Sequence, residues 1–94
     1  MKVYYTTRAQ KAIEHIAAFV ESKNTHGSGS RFALKLESTI NKFATENVEF
    51  SKCRNETLSY LGYSCLTINK WVVAFKIIQN KFIVYRIVWG GLLK

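Results

Sequence analysis

Two apolar stretches separated by three polar residues constrain the fold of this chain more than any other feature. Residues 71–78 and 82–89 are mainly β-branched and aromatic, and Gln79-Asn80-Lys81 lies between them. Paired runs of this kind around a short polar connection are typical of a β-hairpin. The C-terminal part of the chain is therefore predicted to form antiparallel strands.

Alternation of side chains along a strand predicts which residues share a face. The bulkier face is predicted to carry Trp71, Val73, Phe75, Ile77, Ile83, Tyr85, Ile87 and Trp89. The opposite face is predicted to carry Val72, Ala74, Ile78, Phe82, Val84 and Val88, together with the cations Lys76 and Arg86. We expect helices to cover the bulkier face and leave the other open, apolar enough to bind a partner.

The N-terminal half has a helical period instead. Apolar residues recur at helical spacing in residues 8–23 and again in 31–45, which predicts two amphipathic helices. The glycines and short polar residues of 24–30 predict the loop between them. Residues 2–6 favour a short strand before a Thr7 N-cap, whereas 46–56 show no sustained period.

These elements define the expected fold class. A hint of an irregular strand around Leu58, Tyr60 and Leu61 precedes Gly62, and alternation begins at Cys65. Together, the predicted elements form one α+β domain spanning residues 1–94, with an N-terminal strand, a two-helix hairpin and a C-terminal antiparallel sheet. A chain of 94 residues is too short for a second independent domain.

Charge narrows the classes of partner. Fourteen lysines and arginines face six acidic residues, giving a net charge of +8. This excess favours phosphates or an acidic protein segment without choosing between them. No apolar run is long enough to cross a bilayer, so a cytoplasmic protein without membrane contact is expected.

Several kinds of site are unfavourable. Cys53 and Cys65 are expected to be free thiols in a reducing cytosol. With His15 and His26 they lack zinc-motif spacing, so neither a metal nor a cofactor is predicted. No serine lies in a nucleophile-elbow sequence, which disfavours serine hydrolase chemistry.

The cations Lys52, Arg54, Lys76 and Arg86 come from segments expected to meet on the open sheet face. Metal-independent cleavage of RNA through its own 2′-hydroxyl needs phosphate binding and proton transfer. Arg86 would bind phosphate, and Lys76 or Lys52 would handle the proton. The alternative for each is a solvated surface charge; Arg86, in an otherwise apolar strand, is expected to be partly exposed and unpaired.

The order of elements, the polar helix-hairpin loop and the closing segment YSCLTINKWVVAFKIIQNKFIVYRIVWGG (63–91) resemble the RelE/ParE toxins of type II toxin–antitoxin systems. The resemblance covers nearly the whole chain. It implies a toxin that arrests growth and is neutralised by a cognate antitoxin whose extended or helical segment wraps it. The implied target is mRNA on the ribosome, cleaved by an endoribonuclease, or gyrase, poisoned without cleavage.

The same resemblance suggests site residues. Arg86, Lys52 and Arg54 lie near places where such nucleases keep functional cations, and Lys76 and Arg86 are expected to contact RNA or antitoxin. The nucleases typically carry a further basic or aromatic residue, or a histidine, after the last strand, where this chain has Gly90-Gly91. Two alternatives therefore stay open: a ParE-like gyrase poison, and a basic nucleic-acid or protein-binding module without catalysis.

Overall fold

A computed structural model describes residues 1–46 and 52–92 of the chain, Leu92 by its backbone alone. Its elements are β1 (Lys2–Tyr5), α1 (Thr7–Lys23), α2 (Ser28–Thr45), α3 (Glu56–Tyr60), β2 (Ser64–Ile68), β3 (Trp71–Ile78) and β4 (Lys81–Trp89), with a 3-10 turn at Gly90–Leu92. The sheet order is β1-β4-β3-β2. Strands β2 to β4 are antiparallel, whereas β1 pairs with β4 in parallel. The predicted α+β fold is confirmed, except that the sheet is mixed.

The first helix begins one residue earlier than its predicted cap implied. Thr6, not Thr7, is the N-cap, and its Oγ1 accepts a hydrogen bond of 3.1 Å from the Ala9 N–H. The Thr6 N–H donates to the carbonyl oxygen of Val84 at 3.1 Å. This residue therefore joins the start of α1 to the middle of the sheet.

The helix hairpin is closed by a carboxylate. Glu21 accepts hydrogen bonds of 2.7 Å from the N–H groups of both Gly27 and Gly29, donors that the first turn of α2 leaves without helical partners. A Cβ on Gly29 would clash with the carbonyl oxygen of Ala17, so the helices approach closely only because this residue is glycine. Helix α2 consequently starts at Ser28, ahead of the predicted residue 31.

The main core lies between the helix hairpin and one sheet face. Its buried members are Ala9, Ile13, Ile16, Leu36, Ile40, Ala44, Val73, Phe75, Phe82, Val84 and Ile87. The rings of Phe75 and Phe82 stack with centroids 4.2 Å apart, and Phe43 of α2 packs edge-on against both. These aromatic contacts attach α2 to the central strands.

A register shift in the β3–β4 pair overturns part of the predicted face assignment. Ala74 pairs with Arg86, but Phe75 pairs with Val84, so Tyr85 is an extra residue in β4. Such a bulge reverses the alternation beyond it. Phe82 and Val84 are therefore fully buried under the helices, and the expectation that Ile83 and Tyr85 would lie there was wrong.

The opposite sheet face was predicted to be open, but the structure shows that it is partly covered. Cys53 and Leu58 are buried against Ala74 of β3, and Tyr63 and Cys65 pack around them. The apolar surface expected at Ala74 and Val84 does not exist, since both are inaccessible to solvent. The segment that covers this face includes the short helix α3, whose Leu58 side chain packs against the sheet. The prediction of an irregular strand at this position was therefore wrong.

The two cysteines form a disulfide, so the prediction of free thiols is contradicted. Lys52 forms an isolated antiparallel bridge with Ser64, which lays Cys53 beside the start of β2. The Cα atoms of Cys53 and Cys65 are 4.7 Å apart, within the range a disulfide spans. This arrangement arises from tertiary folding, because 12 positions separate the two residues along the chain.

Within residues 1–46 and 52–92, none of the helices has the length and apolar character needed to span a membrane.

Candidate functional site

A cleft of about 630 Å³ lies on the partly covered side of the molecule, where β3 begins and β4 ends. Three cations line it: Lys52, Arg54 and Lys70. Trp89 and the backbone of Gly90 and Gly91 line it as well. The name basic cleft is used below for this site.

Lys70 reaches the basic cleft because of a tight turn. Asn69 adopts a positive φ of 56°, and Ile68 and Trp71 are paired across the turn, so Lys70 lies at its exposed tip. Asparagine tolerates the left-handed backbone region better than most residues do. The turn therefore places an ammonium group beside the end of β4.

The end of β4 approaches this turn closely. The Gly90 N–H donates a 2.8 Å hydrogen bond to the carbonyl oxygen of Lys70. A Cβ on Gly90 would lie 3.0 Å from that oxygen, so any larger residue would be crowded there. Gly90, which follows the last strand, thus allows the backbone to lie close to Lys70.

Trp89 lies at the edge of the basic cleft. Its side chain is 40% exposed, and its ring packs edge-on against Trp71 with centroids 5.2 Å apart. The Nζ of Lys70 lies 5.8 Å from the Trp89 ring centroid, a cation–π distance. Trp71 itself packs against the main core, so the Trp89 ring lies on the helix-covered side of the strand ends, at the edge of the basic cleft.

Lys52 and Arg54 are held on the other side by the segment that covers the sheet. They flank Cys53, whose N–H donates to the carbonyl oxygen of Tyr63 at 3.4 Å and whose sulfur is bonded to Cys65. Cys65 itself lines the basic cleft. The disulfide therefore belongs to the wall that carries two of the three cations.

The electrostatics of the basic cleft favour an anion. Among the described residues that line it, none is acidic and none is histidine. Three positive charges around one cavity, with no carboxylate among them, repel one another and are stabilised by a bound anion. Lysine and arginine side chains around one cavity suit a phosphate group.

The other two predicted cations do not line the basic cleft. The Nζ of Lys76 lies 4.8 Å from the ring centroid of Tyr63 and 5.7 Å from that of Tyr85, so its ammonium group makes cation–π contacts with two aromatic rings. Arg86 pairs with Ala74 and shares its sheet face, as predicted. It is half-buried and, among the described residues, has no carboxylate within ion-pair distance. The predicted partial exposure of Arg86 is confirmed, and its lack of a partner stays a prediction.

Sequence reasoning predicted that Lys52, Arg54, Lys76 and Arg86 would meet, whereas only the first two line the basic cleft, and it missed Lys70 and Trp89. Pairing of Trp71 with Trp89 puts the residue before β3 beside the residue after β4, and this register depends on the bulge at Tyr85, which alternation along the strands does not reveal. Comparison with known proteins gives no further assignment: no family model matches the chain, and no curated protein shows significant similarity to it.

Among the described residues, no three potential metal ligands form a group.

Proposed function

We propose that the protein is the toxin of a type II toxin–antitoxin pair, acting in the cytoplasm as a ribosome-dependent mRNA endoribonuclease. In this proposal a cognate antitoxin neutralises it. The basic cleft is the place where RNA binds. The observation that carries the proposal is the convergence of Lys52, Arg54 and Lys70 around one cavity.

The proposed chemistry uses the 2′-hydroxyl of the RNA itself. Its oxygen attacks the adjacent phosphorus, the bond from phosphorus to the 5′-oxygen breaks, and a cyclic phosphate and a 5′-hydroxyl result. Arg54 binds the non-bridging oxygens, since a guanidinium pairs with them in a bidentate manner. Water takes the proton of the attacking 2′-hydroxyl, Lys52 or Lys70 protonates the departing 5′-oxygen, and the lysine regains its proton from solvent.

Arg86 lies on the same face, in the strand pair that continues from the basic cleft. Val72 lines the cleft, and Ala74, two residues further along β3, pairs with Arg86. A half-buried guanidinium that has no carboxylate partner among residues 1–46 and 52–92 retains its capacity to bind a phosphate or an acidic antitoxin side chain. In the proposal Arg86 contacts the RNA backbone next to the scissile phosphate, with Lys76 further along.

The test is mRNA cleavage in a purified translation system. Wild-type protein is expected to cut mRNA in phase with codons, and only when ribosomes are present. Arg54→Gln and Arg86→Gln should reduce cleavage by about 10- to 100-fold while keeping the thermal unfolding midpoint. Arg8→Gln, which removes an exposed charge from α1, is the matched control and should retain full activity.

One observation favours a non-enzymatic alternative. The described lining of the basic cleft contains no histidine and no carboxylate, so lysine is its only candidate for proton transfer. A gyrase poison needs no proton transfer. Intact mRNA together with inhibition of gyrase supercoiling would replace the nuclease proposal by this one. Absence of both effects, and of growth arrest, would leave a basic binding module.

A further inference from the structure

The Cys53–Cys65 disulfide occupies a position that the proposed activity does not explain. It joins the covering segment, residues 52–63, to β2 beside the basic cleft. The cleft therefore has two walls of different origin. Lys70, Trp89 and Gly90 belong to the sheet and its turns, whereas Lys52 and Arg54 belong to the covering segment.

Apart from the disulfide, the covering segment contacts the sheet through Leu58 and through Tyr63, whose ring centroid lies 5.4 Å from that of Tyr85 and 4.8 Å from the Nζ of Lys76. Lys52 forms a single bridge with Ser64, and the buried cluster on this face is Cys53, Leu58 and Ala74, with Tyr63 and Cys65 around it. The disulfide thus contributes two of the five members of that cluster. The main core contains 11 buried residues and none from this segment. Local opening of the segment therefore leaves the main core intact.

We propose that this disulfide is a redox switch: oxidation assembles the basic cleft, and reduction releases the wall that carries Lys52 and Arg54. The inference concerns the regulation of the proposed site and rests on the proposed function for its biological consequence. Release of the covering segment on reduction is inferred from the position of the disulfide beside the basic cleft, independently of the proposed function. A thiol-reducing environment keeps the toxin weakly active, and oxidative stress activates it.

The reductive step balances with a cellular dithiol. A thiolate of the dithiol attacks the Sγ of Cys65, which lines the basic cleft, whereas Cys53 is 5% exposed. The Cys53 sulfur leaves as a thiolate, favoured by the adjacent positive residues Lys52 and Arg54. The second thiol of the reductant then resolves the mixed disulfide. Two electrons and two protons pass to the cysteines, and the reductant becomes a disulfide.

Reduction is expected to release the covering segment because it restores conformational entropy to the chain. Without the bond, a loop closed across a separation of 12 residues regains conformational freedom that the remaining interactions must offset. Hydrogen bonds within the segment report its opening: the Ser59 N–H donates to Asn55 at 2.9 Å, Leu61 to Thr57 at 3.0 Å and Tyr63 to Leu58 at 3.1 Å. Their amides exchange with solvent each time the segment opens.

Hydrogen exchange of the full chain, oxidised and after reduction by dithiothreitol, tests the switch directly. Exchange of the Ser59, Leu61 and Tyr63 amides is expected to quicken on the order of tenfold or more on reduction, while β3 and β4 stay protected. Equal exchange in the two states would overturn the proposal. Loss of protection throughout β3 and β4 would also overturn it, because the bond would then support the whole fold.

Binding of a fluorescein-labelled single-stranded RNA oligonucleotide tests the link to the basic cleft. Affinity should fall on the order of tenfold on reduction, since two of the three cations leave the site. Unchanged affinity, with faster exchange, would overturn the regulatory link. If neither form binds RNA, the proposed function fails, and hydrogen exchange still decides whether the bond is a switch.

The double variant Cys53→Ser/Cys65→Ser is the control for the reductant. It should match the reduced wild type in exchange and affinity, and dithiothreitol should change neither. A response of this variant to dithiothreitol would overturn the assignment to Cys53 and Cys65. If the variant does not fold, the comparison of oxidised and reduced wild type is decisive alone, because both forms have one sequence.

Discussion

Phe75 of β3 pairs with Val84 of β4, although the preceding residue, Ala74, pairs with Arg86. The skipped residue, Tyr85, therefore lies with Tyr63 and Lys76 on the side away from the helices, its ring 5.4 Å from that of Tyr63. One bulge thus does two things. It buries Val84 in the main core and assigns Tyr85 to the opposite face.

The bulge predicts opposite sensitivities for two adjacent residues. Phe82→Ala should destabilise the protein by about 3–5 kcal/mol, because its fully buried ring stacks on Phe75. Ile83→Ala, at a half-buried position on the other face, should cost about 1 kcal/mol. Urea denaturation measures both. Simple alternation predicts the reverse order, so a larger loss for Ile83→Ala would contradict the bulge.

Tyr5→Phe should not destabilise the protein and should gain up to about 1 kcal/mol. The Tyr5 hydroxyl is buried and has no hydrogen-bond partner among the described residues, so the phenylalanine ring avoids a desolvation penalty. Chemical denaturation near pH 7 measures this difference. A loss of more than about 1 kcal/mol would indicate a partner for the hydroxyl.

The same residue predicts a pH dependence. Burial, and then the Glu37 carboxylate, raise the pKa of Tyr5 from 10.0 to about 12. A pKa raised by folding gives stability that is present below pH 10 and lost as pH rises towards 12. The stability difference between wild type and Tyr5→Phe should shift in favour of the variant across that interval. A constant difference would show that Tyr5 titrates normally.

Glu21→Gln should weaken the helix hairpin most at neutral pH. The N–H groups of Gly27 and Gly29 lower the pKa of the Glu21 carboxyl below 4.5 through hydrogen bonds. A lowered pKa gives stability that is present above pH 4.5 and lost as pH falls through the folded-state value. Wild type and variant should therefore converge in acid. Thermal unfolding from pH 3 to pH 7 measures this, with the exposed Glu14→Gln as control.

Lys70→Gln should reduce the salt dependence of RNA binding if the basic cleft binds phosphate. Removing a cation that neutralises one phosphate lowers the slope of log affinity against log salt by about 0.7 for a single strand. Lys35→Gln, at an exposed position on α2, is matched in charge and should leave the slope unchanged. Filter binding over a salt series measures both. Equal slopes for the two variants would remove Lys70 from the site.

Local patterns were sufficient for most of the secondary structure. The predicted strand at residues 71–78 coincides with β3, and the left-handed residues Gln79 and Asn80 form its turn into β4. Helix α1 ends at the predicted Lys23 and α2 at the predicted Thr45. Periodicity succeeds at these positions because burial of one face imposes it on the sequence. The short helix α3 was not predicted, because a helix of five residues is too short to show a hydrophobic period.

Local period and order along the chain were enough to specify the α+β class, the helix hairpin and the antiparallel strands. Three-dimensional packing was needed for the bulge at Tyr85, the parallel pairing of β1, the cover over Ala74, the Cys53–Cys65 bond and the position of Lys70. Each of these joins segments far apart in sequence or depends on strand register, which alternation alone cannot specify.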